Sequence, residues 1–219
     1  MRYMALLFSV FLTGCFASNP TKVPLNYTLN AQSNKGLAVI SLVNQFEGFD
    51  PSERHWYYGS KVHYQNKAAA KPEVIEVNGI LMTPAEGMVS LADRRDFNGN
   101  PYGVLVVKEL DEGEYTIYPP EPVMLGTQFS RPNRKTGFTI KSGAITYLGE
   151  YGIHVKGSLP QVFIKDKRNR DLDYLREKYP NISTSEIIYA VNKLDKTSVS
   201  GRATPRKQTI YVPTIRYKK

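Results

Sequence analysis

Hydrophobic and polar positions alternate, or fall into short apolar blocks, along most of this chain, which is the mark of β-strands rather than helices. Residues 37–43 form a compact apolar run suited to a buried strand, and residues 55–64 are aromatic-rich and strand-like. Residues 73–82 alternate around Val74, Ile75 and Val77, with Asn78-Gly79 among them as a hairpin signal. Residues 104–110 are apolar again, and Asp111-Glu112-Gly113 turns the chain into a strand over 114–118. Two further strands are expected across Ser142-Gly143, over 137–141 and 144–156, with a last short one over 162–164. The β-branched and aromatic content of these runs favours strands. The pattern predicts a mainly β fold, an antiparallel β-sandwich.

After Pro160 the spacing changes. Leu172, Leu175 and Tyr179 recur at helical intervals, with charges opposite, so a helix is expected over 170–179, stopped by Pro180. Ser183-Thr184-Ser185-Glu186 resembles an N-cap region for a second helix over 186–194, with Ile187, Ile188 and Val191 as its apolar face. The expected organisation has five parts. Residues 1–14 are a signal peptide, 15–34 a lipidated tether and 35–165 the sandwich. Residues 166–197 are a two-helix appendage packed on it, and 198–219 a basic tail, either disordered or adding an edge strand over 208–215.

The N-terminal reading rests on residues 1–18. Arg2 gives a positive start, an apolar run follows to Leu12, and the small residues Thr13 and Gly14 precede Cys15. The run is too short to span a bilayer, which takes about 20 apolar residues. Leu12-Thr13-Gly14-Cys15 resembles the lipobox of bacterial lipoproteins. That resemblance implies diacylglyceryl transfer to the Cys15 thiol, cleavage before it and acylation of the new amino group. Phe16, where an Asp would retain such proteins in the inner membrane, favours the outer membrane facing the periplasm.

Composition fits a globular domain: 41% hydrophobic, 22% charged and 11% aromatic residues. Cys15 is the only cysteine, so no disulfide within the chain is available and cysteine catalysis is excluded once it is lipidated. The net charge of +9 is solubility charge or a preference for lipid head groups, lipopolysaccharide phosphates or acidic wall polymer; a nucleic-acid partner is not expected in the envelope.

A second resemblance lies in the C-terminal half. Gly113-Glu114-Tyr115-Thr116-Ile117, Phe138-Thr139-Ile140 with Gly143, Ile145 and Tyr147-Leu148-Gly149, and then Asp166, Arg170-Asp171-Leu172 and Lys178-Tyr179-Pro180 resemble bacterial envelope lipoproteins with a small β-sandwich domain. It covers roughly residues 103–180. It implies fold and compartment, and carries over no catalytic residue.

Four groups of residues have the makings of chemistry. Phe46, Phe49, Trp56, Tyr57 and Tyr58 are an aromatic group in which Trp56 and Tyr58 share one strand face. Exposed, Trp56, Tyr58 and Phe49 would form a glycan-binding platform; the simpler reading is core on one side and rim on the other. His55 and His63 would sit about 27 Å apart along a strand, too far for one metal, and no metal or other cofactor is expected. Asp93-Arg94-Arg95-Asp96 reads as a self-neutralised, solvated turn, and Lys165, Lys167, Arg168 and Arg170 as a solvated basic face. No nucleophile elbow or phosphate loop occurs. The expected role is a non-enzymatic one, binding or structural, in an envelope protein complex. The alternative is a module binding cell-wall or lipopolysaccharide glycan.

Overall fold

The computed structural model describes residues 22–47, 59–77, 96–97, 102–124, 127–129, 135–156, 159–182, 186–191, 201–202 and 205–206. Among the described residues two sheets and one helix make three layers. The strands are β1 (Lys35–Phe46), β2 (Gly59–Asn66), β3 (Glu73–Val77), β4 (Tyr102–Asp111), β5 (Gly113–Ile117), β6 (Glu121–Met124), β7 (Thr127–Phe129), β8 (Thr136–Ile140), β9 (Ile145–Lys156), β10 (Leu159–Lys165), β11 (Ile187–Tyr189), β12 (Gly201–Arg202) and β13 (Pro205–Arg206). The helix, α1, spans Arg168–Lys178. The mainly β, sandwich-like architecture is as expected, and the hairpin signal Asn78-Gly79 lies outside the described residues.

The first sheet runs β12-β10-β9-β1-β4, with β11 beside β9. The second runs β13-β7-β6-β2-β5-β8, with β3 also on β2. The second sheet is antiparallel throughout, while the first is mixed. β1 pairs antiparallel with β4 but parallel with β9. A parallel pair needs a long crossover; here the crossover from β1 to β9 contains strands β2 to β8, among them most of the second sheet.

Period-2 alternation distributes β1 between two interiors. Ala38 and Ile40 meet Tyr64, Ile117 and Phe138 of the second sheet, together with Val106 and Leu110 of β4 and Leu148 of β9. Ser41 points the other way, toward α1. Leu172 and Leu175 of α1 are buried on that outer face with Tyr179 just beyond the helix, and Val39, Tyr147 and Leu105 belong to the same continuous core.

The expected second helix is not formed at its start. Ile187–Tyr189 is strand β11, parallel to residues 145–147 of β9. The Ile145 N–H donates to the Glu186 carbonyl at 3.1 Å, and the Ala190 N–H to the Tyr147 carbonyl at 3.0 Å. The cause lies in β9. Strand β10 pairs with β9 only over 150–156, so the backbone at 145–147 needs another partner on that side. Ile-Ile-Tyr, β-branched and aromatic, is suited to supply it. Residues 183–185 and 192–194 lie outside the described residues.

Residues 22–34, read from the sequence as part of a tether, run along the outer edge of β4. Lys22 bridges to Val107, and the Val23 N–H donates to the Val107 carbonyl at 2.9 Å. Val23, Tyr27 and Leu29 pack against the core. In the C-terminal tail, β12 adds to β10 of the first sheet and β13 to β7 of the second.

Candidate functional site

Two charged clusters form where α1 meets the first sheet, while Asp173 and Arg176 pair on the exposed side of the helix. The first centres on Asp171, a fully buried carboxylate in the first turn of the helix. Its Oδ2 accepts hydrogen bonds from Ser41 Oγ of β1 at 2.7 Å and from the Tyr147 hydroxyl of β9 at 2.8 Å. Its Oδ1 accepts two from Arg170, Nε at 2.8 Å and Nη2 at 2.6 Å. The other arm of Arg170, Nη1, lies 2.7 Å from Oε2 of Glu150, itself buried on β9. One guanidinium thus sits between two buried carboxylates, donating two hydrogen bonds to Asp171 and pairing with Glu150 as a close ion pair.

Positioning this cluster takes an irregularity in β9. Val39 of β1 pairs with Tyr147 and Ile40 pairs with Gly149, so Leu148 is an extra residue, a β-bulge. Without it, Tyr147 and Glu150 would point to opposite faces. With it, both reach the α1 side while Leu148 enters the inter-sheet core. Gly149 carries the bulge at φ +102°, and a Cβ there would come within 2.8 Å of Val191 Cγ2 and 3.0 Å of the Lys165 carbonyl.

The second cluster centres on Asp96, whose carboxylate is 1% exposed. It accepts from Lys22 of the N-terminal segment, from Lys178 Nζ at 2.5 Å, from the Tyr174 hydroxyl at 2.7 Å and from the Leu105 N–H at 2.8 Å. Phe97 joins the clusters: the Arg170 guanidinium lies 4.1 Å over its ring, and the Tyr174 ring packs 5.4 Å from it.

Electrostatics match this geometry. Burial alone would raise the Asp96 pKa, but the hydrogen bonds from Lys178, Lys22 and Tyr174 outweigh it and hold the carboxyl below its usual range. Burial lowers the Lys22 pKa despite its pairing with Asp96, whereas on Lys178 the attraction of Asp96 overcomes burial and raises it. Burial and the Asp171 charge both push the Tyr147 hydroxyl upward, so it stays a neutral donor at physiological pH. Arg170, penalised by burial, is raised by Asp171 and Glu150.

No family model, curated protein or solved structure matches this chain.

Both clusters tie α1 and its flanking segments to the first sheet. Ser41 Oγ is fully buried and donates to Asp171, a carboxylate that also accepts from Tyr147 and Arg170. Among the described residues no three His, Cys, Asp or Glu side chains gather as a metal site. His63 on β2 lies 3.3 Å from Glu121 Oε2. An open depression of about 440 Å³ fronts the start of α1, lined by Asp166, Lys167, Arg168, Asn169 and Arg170.

Two readings of charged runs are corrected. Asp96 is not solvated: its carboxylate is buried, and its partners among the described residues include Lys22, Lys178 and Tyr174, while residues 93–95 lie outside the described residues. The basic run is not a uniformly solvated face. Arg170 is bound between Asp171 and Glu150, Arg168 pairs with Asp166 and lies 4.4 Å over the Tyr189 ring, and Lys165 lies 4.3 Å over Phe163. Lys167 alone of the four is both exposed and outside any of these pairs. Cys15 and the aromatic group Phe49, Trp56 and Tyr58 lie outside the described residues. No sequence pattern singles out Ser41 or Glu150, and Tyr147 and Asp171 stand only within the resemblance motifs, which carry no role for them. The one signal pointing to them is Gly149, a glycine interrupting the apolar alternation of β9.

Proposed function

We propose that this chain is a lipid-anchored envelope lipoprotein whose β domain acts as a binding or structural accessory component in the periplasm. The observation that carries the reading is Leu12-Thr13-Gly14-Cys15, with the sole cysteine of the chain at the position that acylation requires. A single acyl chain binds a membrane only marginally, so the three chains of a mature lipoprotein would anchor it durably. Among the described residues no helix is long and apolar enough to cross a membrane, a state that fits anchorage by lipid and leaves a β-barrel untouched. The polar groups of the α1 face are engaged in holding helix to sheet, which supports an interaction role over a catalytic one. In-cell crosslinking followed by mass spectrometry, comparing wild type with Cys15→Ser, tests it. A dominant envelope partner captured only from the wild type supports an assembly component. Capture of the same partners by both forms argues that anchorage plays no part in the role.

A further inference from the structure

We propose that the turn of residues 24–27, on the outer edge of β4, is where the domain meets the membrane surface, an inference that rests on acylation of Cys15. Covalent reach is the first argument. Lys22 is pinned to the domain: it bridges to Val107, and its ammonium is held by the buried Asp96. Only seven residue steps separate it from Cys15. Even fully extended these span about 25 Å, and a flexible chain of that length averages roughly 15 Å end to end. Whatever path those residues take, the anchor lies close to this edge of the domain.

The chemistry of the edge is the second argument. The Tyr27 N–H donates to the Pro24 carbonyl at 2.9 Å, closing a turn with Leu25 at its tip. Leu25 is 59% exposed, more than any other large apolar residue described. An isolated exposed leucine is unremarkable on most surfaces, but this one stands three residues beyond the point where the leash enters the fold. The turn is also fixed, since the Tyr27 hydroxyl donates to Glu109 Oε1 at 2.5 Å and Val23 is hydrogen-bonded to β4. The turn therefore moves with the domain, and the short span to Cys15 keeps the edge of β4 nearer the lipid than the opposite edge of the sheet. Gln161, exposed on β10 and paired there with Arg202 of the edge strand β12, lies toward that opposite edge, three strand spacings or roughly 14 Å further across the sheet.

The test places a photocrosslinking amino acid at Leu25 or at Gln161 in the full chain in cells, and reads phospholipid adducts and fatty-acid label on the same protein. Acylation of both variants, with lipid adducts several-fold more abundant at Leu25, is the expected result. A Gly/Ser insertion of about 20 residues between Ala17 and Ser18, raising the average reach from roughly 15 Å to roughly 29 Å, should bring the Leu25 yield down to that of Gln161. Acylated variants with equal yields at the two positions overturn the membrane-facing turn and leave the anchor standing. Absence of fatty-acid label overturns the anchor and this inference together.

Discussion

Tyr147 and Glu150, three residues apart on one strand, project to the same face of the first sheet and meet the same helix, Tyr147 through Asp171 and Glu150 through Arg170. An unbroken strand would separate them. The bulge at Leu148 changes the parity of β9 midway, so that its first part receives β11 and its second part β10, while β1 runs along the other side of both.

Gly149 should therefore resist substitution. Gly149→Ala places a Cβ at positive φ and against Val191 and the Lys165 carbonyl, and is expected to cost about 1–3 kcal/mol. Urea unfolding of the purified domain measures this; a loss below about 0.5 kcal/mol, the scale of an ordinary surface change, would show that the bulge does not depend on glycine.

The Asp171 cluster should behave as a unit. Asp171→Asn leaves Arg170 and Glu150 without their third charge and is expected to cost about 3 kcal/mol. Tyr147→Phe removes one hydrogen bond to a charged acceptor and should cost about 2 kcal/mol. Because Asp171 Oδ2 joins both residues, the double variant should lose less than the sum of the two. Strict additivity in unfolding free energy would contradict a shared network.

Much of this architecture was legible before the structure. The apolar runs at 37–43 and 104–110 and the helical spacing of Leu172, Leu175 and Tyr179 each correspond to an observed element. What pattern could not show depends on distant partners. Ile187–Tyr189 has helical spacing with Val191, yet an open stretch of β9 recruits it as a strand. Asp96 is joined by Lys22 and Lys178, cations 74 and 82 positions away that no local pattern links to it. The parallel pairing of β1 with β9 joins residues more than a hundred positions apart, and local alternation carries no information about strand direction.

Acid should weaken the fold partly through Asp96. Its folded pKa lies below the ordinary carboxylate value, so its contribution is present above about pH 4 and is lost as pH falls through the folded value. Lys178 is raised, and its contribution is present below the ordinary lysine value of about 10.4 and lost as pH rises through the folded one. Asp96→Asn should cost about 3 kcal/mol at neutral pH and give a shallower decline between about pH 5 and pH 2. Glu109 and Asp166 are also lowered and will leave part of the slope. Urea midpoints across that range, identical in shape for wild type and variant, would contradict the assignment.

Helix docking depends on Leu175, which is fully buried beneath α1. Leu175→Ala should cost about 3 kcal/mol. Proteolysis under native conditions should then cut first at α1 rather than in the second sheet, since the least stable unit opens first.

Metabolic labelling with a fatty acid, on wild type and Cys15→Ser, tests the central claim most directly. The account predicts label on the wild type, recovered with membranes, and none on Cys15→Ser. Equal labelling of the two, or an unlabelled wild type, would contradict a lipid anchor at Cys15.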